Sequence, residues 1–294
     1  MTTPTPQPGI MEIALYQGGR SHLAGVRDVL KLSSNENPLG PPGAAIEALQ
    51  AAATTMHLYP STDHASLRAA IAEVWGLDPD RIICGVGSDE VLQFVTQAYA
   101  GPGDEIIHTA HGFSMYPILT HMCGATPVQV PERDRVVDVD AILSAVTERT
   151  RVVLLTNPGN PTGTRVPDAE IVRLADGLRE DVILVIDGAY TEYAAGYDGG
   201  LALAATRPNV LMTRTFSKIY GLGGLRVGWA YAPEGIVDAV MRIRPPFNLS
   251  AMQMAGAAAA ISDHGFVERC RTENAAQRAR LLGAMRQRGL EADE

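Results

Sequence analysis

Short runs of β-branched and aliphatic residues alternate with helix-length segments from about residue 42 onward, and nothing else in the sequence constrains its fold as tightly. RIICG (81–85), DEIIHTA (104–110), TPVQV (126–130), RVVLLTN (151–157), DVILVID (181–187) and NVLMTRT (209–215) read as strands. Helical patterns fill the intervals at 43–54, 66–75, 90–99, 114–122, 140–147 and 168–178, and the chain is helical again from about residue 250. Strands this uniformly apolar are buried on both faces. The pattern therefore predicts an α/β/α sandwich, a mainly parallel central sheet covered by helices on each side. In such sheets ligands sit beyond the C-terminal ends of the strands. The Pro- and Gly-rich residues 1–30 read as an N-terminal arm and 31–264 as one large domain. An Arg- and Glu-rich amphipathic helix within 265–294 reads as the start of a smaller C-terminal domain.

Bulk properties narrow the function. Of 294 residues, 46% are hydrophobic and the formal net charge is −9, which disfavours an electrostatic nucleic-acid surface. Cys84, Cys123 and Cys270 are odd in number and widely separated, with no CxxC or Cys/His ligand spacing, so neither a disulfide frame nor a structural metal is expected. The opening residues lack the basic and apolar regions of a secretory signal, and no apolar run approaches the roughly 18–20 residues of a membrane span. A cytoplasmic protein without membrane or nucleic-acid partners is the expectation.

The candidate chemistry gathers where strands end. In TRTFSKIYGLGGLRVGW (213–229), Lys218 follows an apolar strand and the hydroxyls Thr215 and Ser217, and Arg226 lies eight residues on across a Gly-rich turn. A lysine desolvated at the mouth of a sheet loses pKa and offers a neutral amine for imine chemistry. An arginine fork beside hydroxyls suits a phosphate. Upstream, TNPGNPTGT (156–164) puts Asn160 at a strand end, and VIDGAY (185–190) puts Asp187 there with Tyr190 three residues later. A carboxylate so placed can keep a pyridine nitrogen protonated and make its ring an electron sink. GVGSDE (85–90) opens a helix whose free N–H groups can hold a phosphate. Its sixth residue is Glu90 rather than glycine, which argues against a dinucleotide fingerprint.

Taken in order, N-P-T-G, D-x-A-Y and S-K with an arginine eight residues later resemble the fold-type-I (class I/II) pyridoxal-phosphate aminotransferases. KLSSNENPLGP (31–41) and LYPST (58–62) resemble the histidinol-phosphate branch of that family. The likeness runs from about residue 8 to 290. It implies that Lys218 is the catalytic residue and carries the cofactor as an imine, with Asp187 on the pyridine nitrogen and Asn160 and Tyr190 at the ring oxygen. Ser88, Asp89, Thr215, Ser217 and Arg226 would hold the phosphate, and Phe113 would stack on the ring. Tyr59 would reach the cofactor of a neighbouring subunit, making the active unit a homodimer, and Asn35 or Glu36 would lie near the substrate. The implied reaction is transamination between L-histidinol phosphate and 2-oxoglutarate, a step of histidine biosynthesis.

Two departures qualify the resemblance. Gly188 stands where most of the family carries an acidic residue, and the sequence closes at ADE (292–294) where the resembling enzymes continue into a small domain that supplies a substrate-gripping arginine. The expectation is a truncated chain or a shortened protein. Rival readings are an aromatic or broad-specificity aminotransferase, a decarboxylase of a phosphorylated amino acid, and a non-catalytic cofactor-binding fragment.

Overall fold

A computed structural model describes residues 4–15, 25 and 29–293. In chain order the elements are α1 (Gly43–Ala53), α2 (Ala65–Trp75), β1 (Ile82–Gly85), α3 (Ser88–Tyr99), β2 (Glu105–Thr109), α4 (Met115–Met122) and β3 (Thr126–Val130). A small hairpin, β4 (Glu132–Arg133) and β5 (Val136–Val137), leads to α5 (Val139–Ala145), β6 (Thr150–Thr156), α6 (Asp168–Gly177), β7 (Ile183–Asp187) and α7 (Leu201–Thr206). Then come β8 (Val210–Thr215), β9 (Gly228–Tyr231), α8 (Glu234–Ile243), α9 (Ala251–Ser262) and α10 (His264–Arg286).

Seven strands form one sheet in the order β1-β9-β8-β7-β6-β2-β3. Side chains alternate along each strand, and because both faces are covered, both alternating sets are apolar. Ile82, Ile107, Val153, Leu155, Leu184, Ile186 and Met212 join one core, packed by α1, α2, α5, α6 and α9. Their neighbours Ile83, Ile106, Val152, Leu154, Val185 and Leu211 join a second core under α3, α4 and α8. Fully burying each such side chain contributes about 1.5–3 kcal/mol. The expected α/β/α sandwich is therefore present.

The sheet differs from the sequence reading in one respect that matters for function. β9 pairs antiparallel with both β8 and β1, through Gly228 opposite Thr215 and Gly85. Gly-Trp-Ala-Tyr is short, lacks β-branched residues and follows a Gly-rich turn, so it carries little strand signal. Because β9 runs against the others, its N-terminal lead-in emerges at the rim where β6, β7 and β8 end. That reversal brings Arg226 to the same edge as Lys218.

Helix α8 was also unassigned in the sequence reading, although Ile236 and Val240 mark a buried face at helical spacing. In α10, burial is confined to Phe266, Val267 and Cys270. The amphipathic face expected over 265–288 is not continuous, and Leu281 is 56% exposed. Of the expected arm over 1–30, residues 4–15, 25, 29 and 30 are described, and they hold one short 3-10 turn, Ile10–Glu12. Residues 34–40 cross over the sheet rim, where the Asn37 side-chain amide donates to the Ile219 carbonyl (2.8 Å) and to Cys270 Sγ (3.2 Å). Gly221 makes that crossing possible, since a Cβ there would strike the Gly40 carbonyl.

Candidate active site

The strand ends enclose a cavity of about 420 Å³ into which Lys218, Asp187, Asn160, Tyr190 and Arg226 all project. Ser88, Phe113, Thr215 and Ser217 complete much of its wall, so the side chains proposed from sequence for one cofactor come together in one place. A wider outer chamber of about 730 Å³ shares Asn160 and Tyr190 with it and adds Asn35, Glu36, Arg165 and Arg278.

Lys218 owes its position to the residues around it. Phe216, Ile219, Tyr220 and Leu222 are buried anchors of the loop after β8, which leaves Ser217 and Lys218 on the cavity side. Lys218 Nζ donates to the Ser34 carbonyl (2.9 Å) and lies 5.7 Å from the centre of the Tyr190 ring. Burial, reinforced by the Arg226 charge, lowers its pKa below the ordinary lysine value. Both effects favour a neutral, nucleophilic amine.

Asp187 forms the opposite, deep end. It is 3% exposed and accepts hydrogen bonds from Tyr116 Oη (2.9 Å) and Thr213 Oγ1 (3.0 Å). Tyr116 Oη also bonds Thr156 Oγ1 at 2.5 Å. Burial raises the carboxyl's pKa, while the two hydroxyl donors oppose that rise. A cation facing Asp187 would offset its desolvation, and a protonated ring nitrogen is such a cation. Burial, and then the Asp187 charge, pushes the Tyr116 phenol well up, so it stays a donor.

Sequence reasoning did not reach Tyr116, Thr156 or Thr213. A signal for Thr213 existed, because it sits two residues before Thr215 and so on the same strand face. Tyr116 lies about one helical turn beyond Phe113, and their rings meet edge to face at 5.8 Å. No motif marked its contact with a carboxylate 71 positions away.

Elsewhere on the cavity wall, Arg226 holds a left-handed backbone (φ 56°), and Gln253 Nε2 donates to the carbonyls of Leu225 and Arg226 (both 3.0 Å). The guanidinium donates to Ser217 Oγ (3.2 Å) and to Asp89 Oδ1 (2.8 Å). Asp89, expected from the resemblance to be a phosphate contact, lines the same cavity with its carboxylate bonded to Arg226 and its N–H in the first turn of α3. Helix α3 begins without a side-chain cap among the described residues, so its first N–H groups remain available to an anion. Gly87 (φ 84°) and Gly228 are both needed here. A Cβ on Gly87 would overlap Asp89 and Arg226, and one on Gly228 would overlap the Gly87–Ser88 backbone.

Three proposed residues stand apart from the inner cavity. Asn35 Nδ2 donates to Tyr190 Oη (3.0 Å), and Glu36 pairs with Lys31 (2.8 Å), both at the outer chamber. Tyr59 lines neither chamber; it is 83% exposed and its ring lies 4.6 Å from that of Phe247.

The class I and II aminotransferase family model matches residues 27–292. This chain belongs to that family. Among similar proteins, the histidinol-phosphate aminotransferase of Ruegeria pomeroyi is 67% identical over 98% of this chain and 80% of the relative. The enzyme of the same name from Dinoroseobacter shibae is 60% identical over 100% of this chain and 81% of its own length. A crystal structure of the Sinorhizobium meliloti histidinol-phosphate aminotransferase in complex with pyridoxal-5′-phosphate superposes with a TM-score of 0.83. It is 30% identical, with 88% of this chain and 72% of that one covered.

The residues present fit pyridoxal phosphate on their own terms. A buried carboxylate faces one end of a cavity of suitable size, and a guanidinium, three hydroxyls and an uncapped helix start face the other. A lysine whose pKa is lowered by burial lines the same cavity.

Proposed function

We propose that this chain catalyses reversible transfer of an amino group between L-histidinol phosphate and 2-oxoglutarate, giving imidazole acetol phosphate and L-glutamate, with pyridoxal 5′-phosphate as cofactor. The single observation that carries this reading is a cofactor-shaped cavity with Lys218 and Asp187 at its two chemical positions, in a chain 67% identical to a protein of that name. When bound, pyridoxal phosphate supplies an aldehyde carbon and a ring that withdraws electrons from the substrate's Cα.

Each residue then has a defined task. Asp187 would stabilise a proton on the ring nitrogen, while the Tyr116 and Thr213 hydroxyls favour its ionised form and orient it. Asn160 and Tyr190 lie where they can bond a ring oxygen, and Phe113 lies where it can lean on the ring face. Ser88, Thr215, Ser217, Arg226 and the N–H groups opening α3 bind the phosphate. Lys218 Nζ, its pKa lowered by burial and by the Arg226 charge, would take the proton from the substrate Cα as general base. Asn35 and Glu36, at the outer chamber, face the substrate's entry side. Tyr59, exposed beyond its own cavity, is offered to a second copy of the chain. The active unit in this reading is a cytoplasmic homodimer with shared sites.

The test is a panel of amino donors assayed against 2-oxoglutarate. L-histidinol phosphate should exceed aromatic amino acids in kcat/KM by an order of magnitude or more. Equal or better turnover of an aromatic donor would overturn the substrate assignment. Loss of CO2 from a donor without need of 2-oxoglutarate would overturn the reaction.

A further inference from the structure

The loop between α8 and α9 lies outside every residue given a role so far, yet it grips two segments at once, 59–64 and the turn 84–90 that opens α3. At its start Arg244, 8% exposed, donates to the Thr62 carbonyl (2.5 Å) and to Asn248 Oδ1 (2.7 Å), and its Nη1 lies 3.3 Å from His64 Nε2. In its middle Phe247 packs on Tyr59. At its end Asn248 Nδ2 donates to Glu90 Oε2 (2.7 Å) and, more weakly, to the Cys84 carbonyl (3.4 Å). The same Glu90 oxygen accepts the Val86 N–H at 2.6 Å. Gly85 leaves room for this, since a Cβ there would come within 3.0 Å of that oxygen.

The bond from Val86 to Glu90 folds the turn 85–90 back on the first helical residues, and Asn248 fixes the carboxylate that makes the bond. We propose that residues 244–248 are a clamp that sets the phosphate-binding turn, with Asn248 and Glu90 as positioning residues for the cofactor's phosphate. The proposal rests on the cofactor assigned above. Neither side chain lines the cavity; both act through the backbone of Val86, Gly87 and Ser88. Through Arg244 and Phe247 the clamp also ties that turn to the segment carrying Tyr59.

The deciding experiment compares binding of pyridoxal phosphate with binding of pyridoxal, which lacks the phosphate, by titrating apoprotein and following visible absorbance. Asn248→Ala should weaken pyridoxal phosphate about tenfold, the worth of one hydrogen bond to a charged group. Pyridoxal affinity should stay within twofold. Asn248→Asp, which keeps an acceptor for Arg244 but sets a carboxylate against Glu90 in place of the donor, should weaken pyridoxal phosphate at least as much, again without matching loss for pyridoxal; melting of each apoprotein variant separates a folding defect from the selective loss. Glu90→Ala should show the same selective loss, and Glu90→Gln, which still offers an oxygen to Val86 and Asn248, should recover most of it. Unchanged phosphate affinity, or equal loss for both ligands, would overturn the clamp. If the unaltered protein takes up no pyridoxal phosphate, it is the cofactor assignment that fails.

Discussion

The two ends of the cofactor cavity are built on different principles. The ring end lies inside the sheet: Asp187 is buried and fixed by Tyr116 and Thr213, which stand on neighbouring elements of the core. The phosphate end is assembled from turns, and its main ion pair, Arg226 with Asp89, keeps side-chain exposures of 44% and 39%. An exposed pair of this kind is worth little to stability. A buried carboxylate is costly to hold and correspondingly effective against a facing cation. In the proposed reading the ring end therefore controls reactivity, and the phosphate end controls retention.

That contrast can be broken by substitution, and the largest effect is expected at the ring end. Asp187→Asn should lower kcat on the order of 10²- to 10³-fold, as for removal of a preorganised electrostatic group. The apoprotein should melt no lower, because the amide avoids the desolvation that raises the Asp187 pKa. A catalytic loss matched by collapse of the apoprotein fold would contradict the separation.

Arg226→Gln should act chiefly on retention, weakening pyridoxal phosphate by about 10- to 100-fold, with turnover largely recovered at saturating cofactor. The same change removes one of the charges that depress Lys218. The lysine pKa should then rise, so a higher pH is needed to deprotonate it. The acid limb of cofactor capture by apoprotein should move upward in pH, and a shift downward would refute the assigned coupling.

Tyr116→Phe is the mildest probe. It removes the donor at 2.9 Å from Asp187 while keeping the aromatic packing, and kcat should fall about five- to tenfold with cofactor affinity little changed. A larger loss of affinity than of turnover would place Tyr116 in retention instead.

Much of this was legible before any coordinates. The alternation of apolar strands and helices foretold the sandwich, and their places at strand ends implied that Lys218, Asp187 and Asn160 would meet, because strand ends in a parallel sheet converge. What escaped was set by pairing across long sequence separations. β9 gave no period to read, yet its reversed direction is what delivers Arg226 to the rim. Tyr116 reads as an ordinary core aromatic until the fold brings it to Asp187. The bond between the Asp89 carboxylate and Arg226 joins positions 137 apart and carries no sequence signal. Asn248 and Glu90 lie 158 positions apart and belong to no common pattern.

The central claim is that Lys218 is the amine that takes up the cofactor, and one measurement addresses it directly. Apoprotein is loaded with pyridoxal phosphate, reduced with borohydride, digested and mapped by mass spectrometry. The account predicts a phosphopyridoxyl label on the peptide carrying Lys218, loss of visible absorbance on reduction, and no label in Lys218→Ala. A label on another lysine, or a protein that takes up no cofactor at all, would contradict it.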